Sequence, residues 1–165
     1  MPEFTFTPLT DQDEVSDGTF LGHLDVSGSS GKATTRSSRQ AGGGMGIVLF
    51  AALDELLDGV GTLLREGRGT FKSSDIGLPM KFKSKNGVLT TSHRWSQIDE
   101  STPEAVADAL WSAAQELART HLGRVTEPSG HIDILEDGSI GAIDFRVQVR
   151  NAMSRFEEAR RQLSR

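Results

Sequence analysis

The stretch MGIVLFAALDELLDGVGTLL, residues 45 to 64, constrains the fold of this chain more than any other. Its apolar residues Leu49, Ala52, Leu53, Leu56, Val60, Leu63 and Leu64 recur at the spacing of a helix with one face on a core, while Asp54, Glu55 and Asp58 fall off that stripe. The longest unbroken apolar run, Ile47 to Leu53, is far short of the roughly 20 residues that cross a bilayer. The segment is therefore expected to organise a globular core and not to span a membrane. A chain of 165 residues fits one domain around such a core, so residues 1–165 are read as a single domain.

Composition narrows the chemistry. With no cysteine, the chain has no disulfide framework, no thiolate nucleophile and no cysteine-ligated zinc or iron–sulfur site. The opening MPEFTFTPLT lacks the basic and apolar regions of a secretory signal, which makes the cytoplasm the expected location. A formal net charge of −5 gives no general attraction to nucleic acid or anionic lipid. The charge is unevenly spread, however. Glu3, Asp11, Asp13, Glu14, Asp17 and Asp25 crowd the first 25 residues, which hold no lysine or arginine, whereas Arg146, Arg150, Arg155, Arg160, Arg161 and Arg165 make the C-terminal end basic.

Alternation places strands at Phe4 and Phe6 and at Phe20, Leu24 and Val26. The Gly/Ser-rich segment at about 27–46 is expected to form a mobile loop, with a short strand near Lys32 to Ser37. Its GSSGKAT fails as a phosphate-binding loop. Val26 stands at the position of the first glycine, and Ala33 follows the lysine where a hydroxyl is required. GGGMG at 42–46 precedes a helix but lacks dinucleotide-fingerprint spacing. Gly67 and Gly69 end the long helix, and a strand begins at Thr70 to Lys72.

Two turn signals set registers. Asn86-Gly87, a preferred type I′ pair, matches Lys85 with Val88 and thereby Phe82 with Thr91, Met80 with His93 and Leu78 with Trp95, leaving Lys81, Lys83, Lys85 and Arg94 on the opposite face. Asp137-Gly138, read the same way, places Ile132 opposite Ile143 and Ile134 opposite Gly141 on a core face. Between the hairpins, Thr102 caps a helix with Pro103 at its first position and a stripe of Val106, Leu110, Ala113, Ala114, Leu117 and His121, stopped by Gly123. After Ile143 the alternation of Phe145, Val147 and Val149 extends the strand to Val149. Asn151 then caps a last helix with Met153, Phe156, Ala159 and Leu163 inward; a helix starting near Val147 is the competing reading. The expected class is α+β: one antiparallel sheet of about six to eight strands built from hairpins, covered by the central, second and C-terminal helices.

Candidate chemistry is sparse. The second register sets His131 opposite Asp144 with Asp133 along the same face, a constellation that suits a histidine base or a metal-assisted hydrolase. His93 reads as a satisfied core histidine, His23 points away from Phe20 and Leu24, and His121 suits a helix C-terminus as a cation. Asp54 and Asp58 share a helical face but lack an ExxH partner, and Ser92 next to His93 faces the other side of its strand. No cofactor or metal ligand set is predicted. The basic residues Lys81, Lys83, Lys85 and Arg94, with Arg150 and Arg155 of the last helix, form the candidate binding surface. They favour a non-catalytic adaptor, regulator or inhibitor with a protein partner. Nucleic-acid binding is the weaker use of the same residues, because Phe82 and Trp95 are expected on the buried face, and an exposed hairpin edge permits homo-oligomers.

Overall fold

The computed structural model describes residues 1–37, 46–73 and 76–165. Ten strands and three helices follow in the order β1 (Glu3–Pro8), β2 (Leu21–Ser27), β3 (Lys32–Thr34), β4 (Ile47–Val48), α1 (Leu49–Glu66), β5 (Gly69–Lys72), β6 (Met80–Lys85), β7 (Val88–His93), β8 (Ser96–Ser101), α2 (Pro103–His121), β9 (Ile132–Ile134), β10 (Ile140–Ala142) and α3 (Phe145–Leu163). The class is α+β with antiparallel pairing, but the strands of the described residues do not join in one sheet. They divide into a four-stranded sheet in which β2 pairs with β1, β3 and β4, a four-stranded meander β5–β6–β7–β8, and a separate ribbon of β9 and β10. The expected loop at 27–46 holds strand β3 in its first part; its residues 38–45, with most of GGGMG, lie outside the described residues.

The long helix begins at Leu49, the first residue of its predicted apolar stripe. Ile47 and Val48 are β-branched at one end of an apolar run and pair with Gly22 and Leu21 before the chain turns into α1. From Leu49 the predicted stripe is buried throughout, and Gly67 ends the helix in the left-handed conformation, φ 69°, with its N–H donating to the Leu63 carbonyl over 2.9 Å. In α2, Thr102 caps as predicted, its hydroxyl accepting from the Ala105 N–H.

The third helix overturns the strand predicted through Val149. It starts at Phe145, capped by the Asp144 carboxylate, which accepts from the Arg146 N–H. Phe145, Val149, Ala152, Phe156 and Ala159 are its buried residues, and this spacing is helical. A short alternation fits both periods, and the cap together with the helical spacing beyond Val149 settles the choice. α3 packs on α1 and α2, and Trp111 of α2 stacks on Phe156, ring centroids 6.3 Å apart. The two large sheets meet through Phe82 of β6, whose ring is stacked between Phe71 of β5 at 5.9 Å and Phe4 of β1 at 6.3 Å.

β8 is a strand the sequence pattern conceals. Ile98 and Asp99 are neighbours and both are fully buried, because a register irregularity between Thr91 and Ser92 breaks the alternation. Asp99 accepts from the Ser29 N–H and hydroxyl, each at 3.2 Å, and from the Ser101 hydroxyl, and the Ser30 N–H donates to the Ile98 carbonyl at 2.8 Å. The meander is thereby tied to the β2–β3 turn.

Candidate functional site

The Asn86-Gly87 turn holds its predicted register from Lys85↔Val88 to Met80↔His93. Asn86 and Gly87 take φ of 54° and 76°, the left-handed values that a type I′ turn demands. Met80, Phe82 and Ser84 therefore point into the core, while Lys81, Lys83 and Lys85 stand in solvent. Strand β5 adds a fourth cation, since Lys72 pairs directly with Lys81. Thr70, Thr90 and Ser92, with Gln97 and Glu100 of β8, share the outer face with the lysines. Among the described residues, none of these four lysines pairs with a carboxylate.

Arg94 and Trp95 depart from the predicted ladder. The β6–β7 pairing stops at His93, and Arg94, at φ 54°, and Trp95 form the two-residue turn into β8, where His93 pairs with Ser96. Trp95 is fully exposed, at 101 % of its reference surface, in place of the buried position expected opposite Leu78. The sheet thus carries an open lysine face with a solvated indole in the turn at one end.

Four of the six C-terminal arginines are engaged within the molecule. Arg155 reaches Asp58 of α1 at 3.0 Å and Glu136 of the β9–β10 turn at 2.7 Å, Arg160 reaches Asp108, and Arg146 and Arg161 bond Asp144 and Glu157. Arg155 therefore ties α3 to α1 and to the ribbon. Arg150 is exposed and has no ion pair among the described residues.

The second hairpin is slipped by one residue from the predicted register. Ile134 pairs with Ile140, Asp133 with Gly141 and Ile132 with Ala142. The connection is a three-residue loop in which the Gly138 N–H donates to the Leu135 carbonyl at 2.9 Å and Gly138 takes φ 83°. That is a type I turn followed by a left-handed residue, and the extra residue shifts every partner. His131 consequently lies beside Ile143, whose N–H donates to its carbonyl, and Asp144 is engaged by Arg146 instead. Arg146 holds the Asp144 carboxyl below its ordinary value. Among the described residues no three histidine or carboxylate side chains lie close enough to hold a metal ion. Ile132 and Ile134, expected on a core face, are exposed by 72 % and 70 %, and Ile140 is exposed by 79 %.

The other histidines are structural. Buried His23 shares a hydrogen bond with the Thr35 hydroxyl, and His93 bonds the Pro79 carbonyl at 2.7 Å. His121, expected to suit a helix C-terminus as a cation, has its protonation disfavoured. Burial, and then Arg124, lower its pKa, and its ring stands edge-on to Phe20 with centroids 5.0 Å apart.

One carboxylate behind the ribbon is strongly perturbed. Asp54 accepts from the Gln148 amide at 2.7 Å, while its other oxygen and the Gln148 carbonyl oxygen are buried without hydrogen-bond partners. Burial, then Asp58 and more weakly Glu136, push its pKa up to about 6 against the pull of Gln148 and Arg155. A carboxyl whose folded pKa exceeds its unfolded value of 3.8 favours the folded state most when protonated, so stability falls as pH rises from about 4 to about 6. Asp54→Asn is expected to flatten that interval. Above pH 6 it should raise stability by about 1 kcal/mol, a value discounted for partial exposure, as read by urea unfolding at several pH values. A variant that keeps the wild-type pH slope would show that Asp54 does not cause it.

No helix among the described residues is long and apolar enough to cross a membrane. Compared with protein-family models, curated protein sequences and solved structures, the chain matches none.

Proposed function

We propose that the chain is a non-catalytic protein-interaction module that binds an acidic protein surface through the outer face of the β5–β8 sheet. The observation that carries this reading is the lysine cluster on a chain of net charge −5. Lys72 and Lys81 are directly opposed on antiparallel strands, and like charges so placed repel. An edge-strand lysine such as Lys72 keeps other chains from pairing, but β6 is an interior strand, and that role does not account for Lys81, Lys83 and Lys85. A carboxylate-rich partner would relieve the repulsion and be steered by it.

The test is affinity capture from the native host with identification of bound proteins, comparing wild type with a Lys81→Glu/Lys83→Glu variant, followed by kinetics on the purified pair. Association should slow steeply with salt, and the variant should bind at least about tenfold more weakly. Equal capture by the variant would refute the assignment. Fully exposed Trp95 favours a second reading, single-stranded nucleic acid stacked on the indole beside the lysines. That reading requires oligonucleotide binding at low salt that is weakened in Trp95→Ala. The cluster of His131, Asp133 and Asp144 gains no support as a hydrolytic site, since Asp144 is committed to Arg146 and to capping α3.

A further inference from the structure

The ribbon of β9 and β10 presents an apolar face to solvent. Ile132 pairs with Ala142 and Ile134 with Ile140, so all four side chains stand on one side, and all four are exposed. Val147, in the first turns of α3, is 56 % exposed, and it lines the same cleft of about 450 Å³ as Ile134 and Ala142. A two-stranded ribbon with an uncovered apolar face is marginal by itself. Among the described residues its inner side is fastened by Glu136, which accepts from Arg155 and Asn151 of α3, and by half-buried Leu135 and Ile143.

We propose that this face is the interface of a homodimer, in which the ribbons of two copies stack across a two-fold axis. The exposed parts of the three isoleucines and Val147 amount to roughly 400 Å² of apolar surface, the scale at which a patch marks an interaction site. Doubled across a two-fold, that supplies most of the apolar part of a standard interface of about 1,600 Å². An isologous contact joins a patch to itself, so it requires both signs within one patch. This rim has them. Asp137 in the ribbon's turn and Arg150, one turn beyond Val147 on α3, are exposed without ion pairs among the described residues. The outer face of the meander is predominantly basic, four lysines against Glu100, and repels its own copy. The two surfaces are separate, so the dimer does not rest on the acidic-partner reading.

Sedimentation velocity of the full chain from micromolar to millimolar concentration tests this. Wild type should show a monomer–dimer equilibrium, and Ile134→Asp should raise its dissociation constant at least about a hundredfold. Lys81→Glu/Lys83→Glu should leave it unchanged. A wild type that stays monomeric throughout, or an Ile134→Asp variant that dimerises normally, overturns the proposal. A monomer that buries the ribbon against a different protein overturns it too. Because the chain is cysteine-free, Ile134→Cys introduces a unique thiol without adding charge to the ribbon. A short bismaleimide should cross-link it into dimers while Gln97→Cys on the meander stays monomeric. Equal cross-linking of both would show random collision and refute the interface.

Discussion

Phe82→Ala is expected to lower stability by about 3–5 kcal/mol, the cost of deleting a buried phenylalanine from a site that cannot collapse. The ring has no exposed surface, and it fills the space between Phe71 and Phe4, which belong to different sheets. Its removal opens a cavity at the seam where the β5–β8 meander meets β1, and both walls are pinned by their own strand pairing, so neither can move in to fill it. Urea denaturation reads the effect as a lower midpoint at unchanged slope. Phe71→Ala supplies the comparison. Phe71 is only half-buried and lies on an edge strand, so its loss should cost clearly less. Equal losses would mean that the seam does not depend on Phe82.

Asp99→Ala is expected to cost about 3 kcal/mol. Hydrogen bonds to a charged acceptor are worth roughly 1.5–3 kcal/mol each, and Ser29 and Ser101 are near enough to the surface to recover part of that in water. Burial raises the Asp99 pKa, but the Ser101 hydroxyl, the Ser29 N–H and the Met1 ammonium, 3.3 Å away, together outweigh it and leave the carboxyl below its ordinary 3.8. The sign follows. A depressed folded pKa means that this stabilisation is fully present above the unfolded value and is lost as pH falls through the folded one. Wild type should therefore lose stability below about pH 4 in a way that Asp99→Asn does not share, and Asp99→Asn should retain part of the hydrogen bonding. Thermal melts across this acid range check both points. An alanine variant as stable as wild type would show that the tie to the β2–β3 turn is dispensable.

Where local chemistry is decisive, the chain is legible from its residues. Asn86-Gly87 admits essentially one tight turn, and alternation on both flanks agrees with it, so the whole β6–β7 register and the outward set of Lys81, Lys83 and Lys85 follow. Thr102-Pro103 starts α2 for equally local reasons. Asp137-Gly138 is less specific, because a glycine in the left-handed region ends a three-residue loop as readily as it centres a two-residue one. That one-residue difference sets His131 opposite Ile143 in place of Asp144 and leaves Ile132 and Ile134 in solvent.

Sequence alone determined the α+β class, the buried stripe of α1, the lysine face of β6 and the absence of cysteine chemistry, since each depends on periodicity, turn geometry or composition. Tertiary structure decided the rest. It divided the strands into two sheets and a ribbon, buried Asp99 beside Ile98, exposed Trp95, and drew Arg155 onto Asp58 and Glu136. These outcomes join residues far apart in the chain. Their energies come from burial and charge pairing between elements, which no local window of sequence contains.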